Sequence, residues 1–124
     1  MKIITDERCV DYSQPGHPER PARVQRSLEK LRRQTELPLS WAEPPAPEEH
    51  AILRAHTPEF VARLDLQEDF DGDTPAHPGI ATHAKRSAGA ALLAMKTARA
   101  GERAFSLRRP PGHHATRTEV LGFC

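Results

Sequence analysis

A chain of 124 residues with 18 basic and 17 acidic side chains, formal charge +1, suits one small domain and lacks the basic excess of a mainly electrostatic nucleic-acid binder. No apolar run approaches the roughly 18 to 20 residues that span a bilayer. The start, Met1-Lys2-Ile3-Ile4-Thr5-Asp6, lacks the apolar stretch of a secretory signal, so a cytoplasmic protein is expected. Cys9 and Cys124 are the two cysteines, and without C-x-x-C spacing they suggest neither a disulfide scaffold nor a cysteine zinc site. Fourteen of the basic residues are arginine, and a solvated face is the expected place for most of them. The densest clusters, Arg32-Arg33 and Arg108-Arg109, are each only two residues long.

Lys2 to Thr5, with β-branched Ile3 and Ile4, reads as a short first strand ended by Asp6-Glu7-Arg8. Residues 12 to 21 hold three prolines and a glycine, which exclude regular structure there. Pro21 suits the first turn of a helix, and Val24, Leu28 and Leu31 give it one apolar face up to Arg33. Residues 38 to 47 are Pro-rich around Trp41 and predict a short extended segment, and Pro47 to Ala55 predicts a brief helix. Thr57 is an N-cap with Pro58 at the first helical position, and Phe60, Val61 and Leu64 are the buried residues behind it. Asp65 to Gly79 is an acidic loop, long enough to be functional.

Residues 80 to 100 form the clearest element. Ala84, Ala88, Ala91 and Met95 line one face with Leu92 beside it. Their small size predicts close approach to a sheet, and Gly101 supplies the stop. Ala104 to Leu107 reads as a buried strand, followed by the loop Arg108-Arg109-Pro110-Pro111-Gly112-His113-His114. Strand, helices and strand in that order imply an α/β layer with a parallel sheet. Loops at the C-terminal ends of such strands carry the chemistry.

Two adjacent histidines are by themselves a weak signal, because a single histidine is more often structural or at the surface. Their setting strengthens it: Pro110-Pro111-Gly112 fixes the backbone, and Gly112 admits another group close by. Such a pair suits general-base work and the stabilisation of a developing oxyanion.

Arg-Pro-Pro-Gly-His-His-Ala at 109–115, followed after six residues by Gly122-Phe123-Cys124, resembles the active-site segment of the histone deacetylase superfamily. The Pro-Pro-Gly form is similar to the class II and bacterial branch, which includes acetylpolyamine amidohydrolases and acetoin-utilisation proteins. Gly16-His17-Pro18-Glu19-Arg20-Pro21-Ala22-Arg23-Val24 resembles the N-terminal loop and first helix of that family. His56-Thr57-Pro58-Glu59-Phe60-Val61 and Asp73-Thr74-Pro75 also fall in its order. The resemblance implies part of an open, three-layer, parallel-sheet deacetylase fold of the arginase-like type. It implies His114 as the general base, His113 as its electrostatic partner, and Gly122 and Phe123 as a wall of the acyl-chain tunnel. It places Asp73 at the rim, holding substrate by hydrogen bonds, and Arg23 near an acetate exit path. Plainer readings stand beside these: Phe123 as core, Asp73 as a loop-turn residue, Arg23 as a solvated or salt-bridged helix residue.

One departure outweighs the rest. The family binds zinc through an Asp-x-His segment and a second Asp, both C-terminal to this motif, and these 124 residues hold neither. His50/His56 and His77/His83 are six apart with no carboxylate pair to join them. The expectation is therefore the N-terminal portion of a zinc-dependent deacetylase of acetylated amines, of acetyl-lysine or acetylpolyamine type. Zinc is expected in the complete enzyme and none in this chain, which is expected to be inactive alone. The alternative is a non-catalytic truncated homologue acting as an interaction module. A sheet cut short leaves an unpaired edge, so self-association or pairing with a C-terminal complement is expected.

Overall fold

Ile3 and Ile4 point to opposite faces of a strand, yet both are inaccessible to solvent. Strand β1 (Lys2–Ile4) is therefore covered on both faces, which is why consecutive apolar residues rather than alternation mark it. The computed structural model describes residues 1–124. It pairs β1 in parallel with β2 (Ser40–Ala42) on one side and β3 (Ala104–Ser106) on the other. The order is β2-β1-β3, with Ile3 opposite Trp41 and Phe105. Parallel neighbours need long crossovers. Helix α1 (Ala22–Arg33) supplies the first, and α2 (Glu49–Leu53), α3 (Pro58–Arg63) and α4 (Ile80–Arg99) supply the second. No helix is long and apolar enough to cross a membrane.

Polar Asp6-Glu7-Arg8 ends β1 as expected, but by turning into a single 3₁₀ turn, Glu7–Val10, which the Asp6 side chain caps by accepting from the Arg8 N–H. Pro21, already helical at φ −50° and ψ −40°, stands one residue before α1. Val24 and Leu28 are buried against Cys9, with Val10 and Leu107 packed alongside. Burial of each such side chain contributes roughly 1.5 to 3 kcal/mol. Leu31, one turn further on, is only half-buried. In α3 the Thr57 hydroxyl accepts from the Phe60 N–H at 3.2 Å, Pro58 needs no partner, and Phe60 and Val61 are buried.

Helix α4 departs from the sequence reading. The face expected on the sheet, Ala84, Ala88, Ala91 and Met95, is half-buried at Ala84 and exposed at the other three. The buried residues are Ala81, Gly89, Ala90 and Thr97. Alanines surround this helix, so no single stripe of large residues fixes its rotation; the side admitting the closest approach wins. Gly89 shows how close that is, because a Cβ there would lie 1.9 Å from the Pro45 carbonyl oxygen. Gly101 at φ 87° ends the helix. Its N–H bonds to the Ala98 carbonyl and the Glu102 N–H to that of Thr97, the paired closure glycine permits.

Strand β3 is also not the buried strand expected, since Phe105 is 52% exposed. It lies at the edge of the sheet, so one side has no neighbouring strand to cover it.

Candidate active site

The connection leaving β1 leads to β2, away from β3. In an open parallel sheet the crevice opens where neighbouring strands send their chains apart. The loop after β1 carries Tyr12, His17 and Glu19 to that place, and the loop after β3 carries Arg108 to His114.

Arg108 and Arg109, unlike the solvated face expected for most of the basic residues, are both buried at the side chain. Arg109 grips Glu19 with both arms: Nε donates to Oε1 at 2.8 Å and Nη2 to Oε2 at 2.7 Å. Its Nη1 donates to the carbonyls of Cys9 at 3.0 Å and Tyr12 at 2.9 Å. The guanidinium also lies 4.2 Å from the Tyr12 ring centre. Burial alone would lower the guanidinium pKa, but the hydrogen bonds to Glu19 and neighbouring groups hold it above its ordinary value. Such a bidentate buried pair specifies geometry. Removing one member leaves a stranded charge.

Arg108 donates to the Asp6 carbonyl at 2.9 Å and lies 3.4 Å from the Asp6 carboxylate. Arg86, from α4, reaches that carboxylate at 2.9 Å. Burial pushes Asp6 upward, but hydrogen bonds from Arg8 and the Arg108 charge hold it below the usual carboxylate range. The Ser87 hydroxyl donates to the Pro110 carbonyl at 2.7 Å, tying α4 to the same loop. Charged and polar side chains therefore hold the loop after β3 from three sides.

His113 and His114 follow on that loop, outside any helix or strand, as expected. Their ring centres are 4.0 Å apart, and both are exposed. Gly122 stands beside them, since a Cβ built on it would lie 3.9 Å from the His114 ring. Gly122 and Phe123 are both left-handed, at φ 58° and 64°. For phenylalanine that conformation costs roughly 1 kcal/mol or more and persists only where packing enforces it.

Phe123 is 3% exposed and sits in an aromatic cluster, with His17 edge-on at 4.6 Å, His77 at 5.9 Å and Tyr12 at 6.2 Å. The Tyr12 hydroxyl, His77 Nε2 and His83 Nδ1 are buried in this neighbourhood without a hydrogen-bond partner in the chain. Burial pushes the Tyr12 phenol well above its usual range. Burial and then the Arg108 charge pull His83 down.

Asp73 is exposed and meets His17, whose Nε2 lies 3.2 Å from its carboxylate. Arg23 is the most peripheral of the residues singled out by sequence. Its side chain is mostly exposed, and it reaches Glu19 at 3.5 Å from the first turn of α1. The structure thus gathers His113, His114 and Gly122 in one place, and Asp73 and Phe123 around His17. Sequence reading assigned no role to His17, Glu19 or Arg109. All three lay inside the quoted motifs, and the signal was that a charged pair shared by two motifs needs a partner when buried.

Beside this cluster runs an apolar groove of about 350 Å³, lined by Ala84, Ala88, Ala91 and Leu92 of α4, Phe60 of α3, and Val120 and Phe123 near the C-terminus. No three His, Cys, Asp or Glu side chains come together in a way that could hold a metal ion. The residues present therefore do not fit a resident zinc.

Residues 17–124 match the histone deacetylase domain. The chain belongs to the histone deacetylase family. It is 40% identical over 88 residues to a histone deacetylase-like amidohydrolase of Pseudomonas aeruginosa, covering 65% of this chain and 23% of that protein. It is 31% identical to a probable deacetylase of Archaeoglobus fulgidus, covering 98% of this chain and 37% of that protein. Among solved structures it superposes on the HDA15 HD domain with a TM-score of 0.84 and 28% identity, across 99% of this chain and 39% of that one. The fold is therefore the arginase-like α/β fold of histone deacetylases, and the chain spans less than half the length of these relatives. Within it, the His113–His114 loop and the Glu19 loop are the two family segments that the buried Arg109 joins.

Proposed function

We propose that this chain supplies the proton-transfer half of a zinc-dependent deacetylase acting on acetylated amines of the acetyl-lysine or acetylpolyamine type. The observation that carries the reading is the placement of His113 and His114, 4.0 Å apart between ring centres, on a loop pinned by a buried arginine. His114 accepts the proton of the attacking water and returns it to the leaving amine. His113, beside it, stabilises the charge that develops. Gly122 and Phe123 border the acyl chain, Asp73 accepts hydrogen bonds from the substrate at the rim, and Arg23 lies towards the acetate exit. Zinc, which lowers the pKa of bound water and polarises the carbonyl, is assigned to ligands outside these 124 residues, because the donor set here does not fit it.

The same reading makes the 124 residues inactive alone and active when joined to a C-terminal complement, in cis or as a second chain. Both edges of the sheet support such pairing: Trp41 on β2 and Phe105 on β3 are about half exposed beside unpaired strand backbone. The apolar groove favours a second reading, a non-catalytic homologue that uses these surfaces for interaction. Neither nucleic acid nor membrane is a proposed partner.

The test is a fluorogenic acetyl-lysine assay with zinc analysis on the chain, the completed domain and its His114→Ala form. Turnover is expected only in the completed domain. The substitution should lower it by about 10² to 10⁴-fold with zinc retained. Stoichiometric zinc and turnover in the chain alone would overturn the division of labour, and zinc loss in the variant would make His114 a ligand. Inactivity of the completed domain would favour the interaction module.

A further inference from the structure

His17 touches three parts of the site: the Glu19 backbone, the Asp73 carboxylate and the Phe123 ring. Its Nδ1 accepts the Glu19 N–H at 2.9 Å and lies 3.3 Å from the Glu19 carbonyl oxygen; the shorter contact favours the neutral tautomer with its proton on Nε2. Its Nε2 faces the Asp73 carboxylate at 3.2 Å. Its ring edge meets Phe123 at 4.6 Å between centres. The His17 side chain is 9% exposed and that of Asp73 is 68% exposed, so the imidazole is the fixed member and the carboxylate the one being held. The loop containing Asp73 has little else to place this side chain. Its turn is closed by the Asp73 N–H donating to Asp71, which fixes backbone rather than carboxylate.

Glu19 completes the connection. Its N–H fixes the His17 ring, and its carboxylate takes both arms of Arg109, four residues before His113. The segment His17-Pro18-Glu19 therefore contacts both the rim loop and the loop of the histidine pair. Pro18, with its φ fixed by the ring, stiffens the joint between the two arms.

We propose that His17 is a positioning residue that orients the Asp73 carboxylate for substrate, and that the His17–Glu19 segment keeps this rim group in register with His113 and His114. The proposal rests on the rim role given to Asp73 above. It makes His17 a determinant of substrate binding rather than of proton transfer.

Two measurements test it. The first is steady-state kinetics on the completed domain. His17→Ala and Asp73→Ala should each raise KM about tenfold, the scale of one lost hydrogen bond to a charged group, with kcat within about threefold. The double variant should do no worse than either, because both remove one shared interaction. His17→Gln, whose amide nitrogen can take the place of Nε2, should recover most of the KM. His17→Asn, whose oxygen can replace only Nδ1, should not. Multiplying effects in the double variant, an unchanged KM in His17→Ala, equal behaviour of Gln and Asn, or a fall in kcat in place of the KM rise would each overturn the proposal. The second measurement needs no activity, so it separates failure of this inference from failure of the deacetylase reading. In ¹⁵N-edited NMR of the 124-residue chain, His17 should show an exchange-protected Nε2–H and an unprotonated Nδ1, and Asp73→Ala should abolish the protection. A protected proton that survives Asp73→Ala, or one found on Nδ1, would overturn it.

Discussion

Where the loops after β1 and β3 meet, charge is buried and answered: Arg109 is 1% exposed and finds a carboxylate and two carbonyls. Across α4 the opposite holds, since Ala88 and Ala91 stand exposed over a groove with few polar groups. The first region is closed by residues within the chain. The second is apolar surface that stabilises only when something covers it. The difference teaches that the geometry of the histidine loop is carried by these residues, whereas the outer face of α4 is left for whatever lies against it.

The hardest blow to this contrast is Arg109→Met. It leaves the buried Glu19 carboxylate with only the long contact to the exposed Arg23 at 3.5 Å and should cost about 3 to 5 kcal/mol in urea denaturation, with Arg109→Lys milder because one charge remains. A loss below about 1 kcal/mol would mean that the pair does not hold the loop. Gly89→Ala tests the buried side of α4. With a Cβ meeting the Pro45 oxygen at 1.9 Å, it should cost roughly 1 to 3 kcal/mol as segment 44–47 is forced away. An equal substitution at the exposed Gly112 should be nearly silent by the same denaturation assay.

A smaller effect separates the regions by pH. His83 ordinarily titrates at 6.5 and is held lower, by burial first and the Arg108 charge second. As pH falls through 6.5 the unfolded histidine takes a proton that the folded one refuses. The unfolded state then binds more protons, and stability falls on acidification. His83→Leu should flatten this decline between pH 7 and the lower folded value, and an unchanged slope would remove His83 from it. Asp6, ordinarily at 3.8 and held lower, contributes stability that is present above 3.8 and lost as pH drops through its folded value. The smallest change in stability is expected from Ala91→Lys in the groove, within about 0.5 kcal/mol. It should nevertheless reduce self-association or complementation, read by sedimentation, and undiminished association would place the contact elsewhere.

Much of this architecture is legible in the sequence alone. Thr57-Pro58 announced α3 because capping is local chemistry, and the prolines of residues 12 to 21 excluded a helix because each one lacks an N–H. The strand β1 was marked by two consecutive isoleucines, and the order of strand, helices and strand implied the parallel sheet. The two motifs with their six-residue spacing pointed to the family to which the chain belongs. The rotation of α4 was not legible, because alanine on several sides gives the hydrophobic effect no preferred face. The exposure of Phe105 was not legible either, since a short apolar run reads the same at the centre of a sheet as at its edge.

What the sequence determined by itself are the properties that depend on neighbours in the chain: caps, breakers, the short strands and the presence of His113-His114 after Pro110-Pro111-Gly112. Tertiary structure alone decided that Arg109 joins Glu19 across 90 residues of sequence and that His17 faces Asp73. It also decided that Phe123 takes a left-handed backbone to reach an aromatic cluster. A charged side chain on a sequence string looks solvated until the fold brings its partner. The energy of that pairing depends on burial, which is a property of the assembled layers and of no single segment.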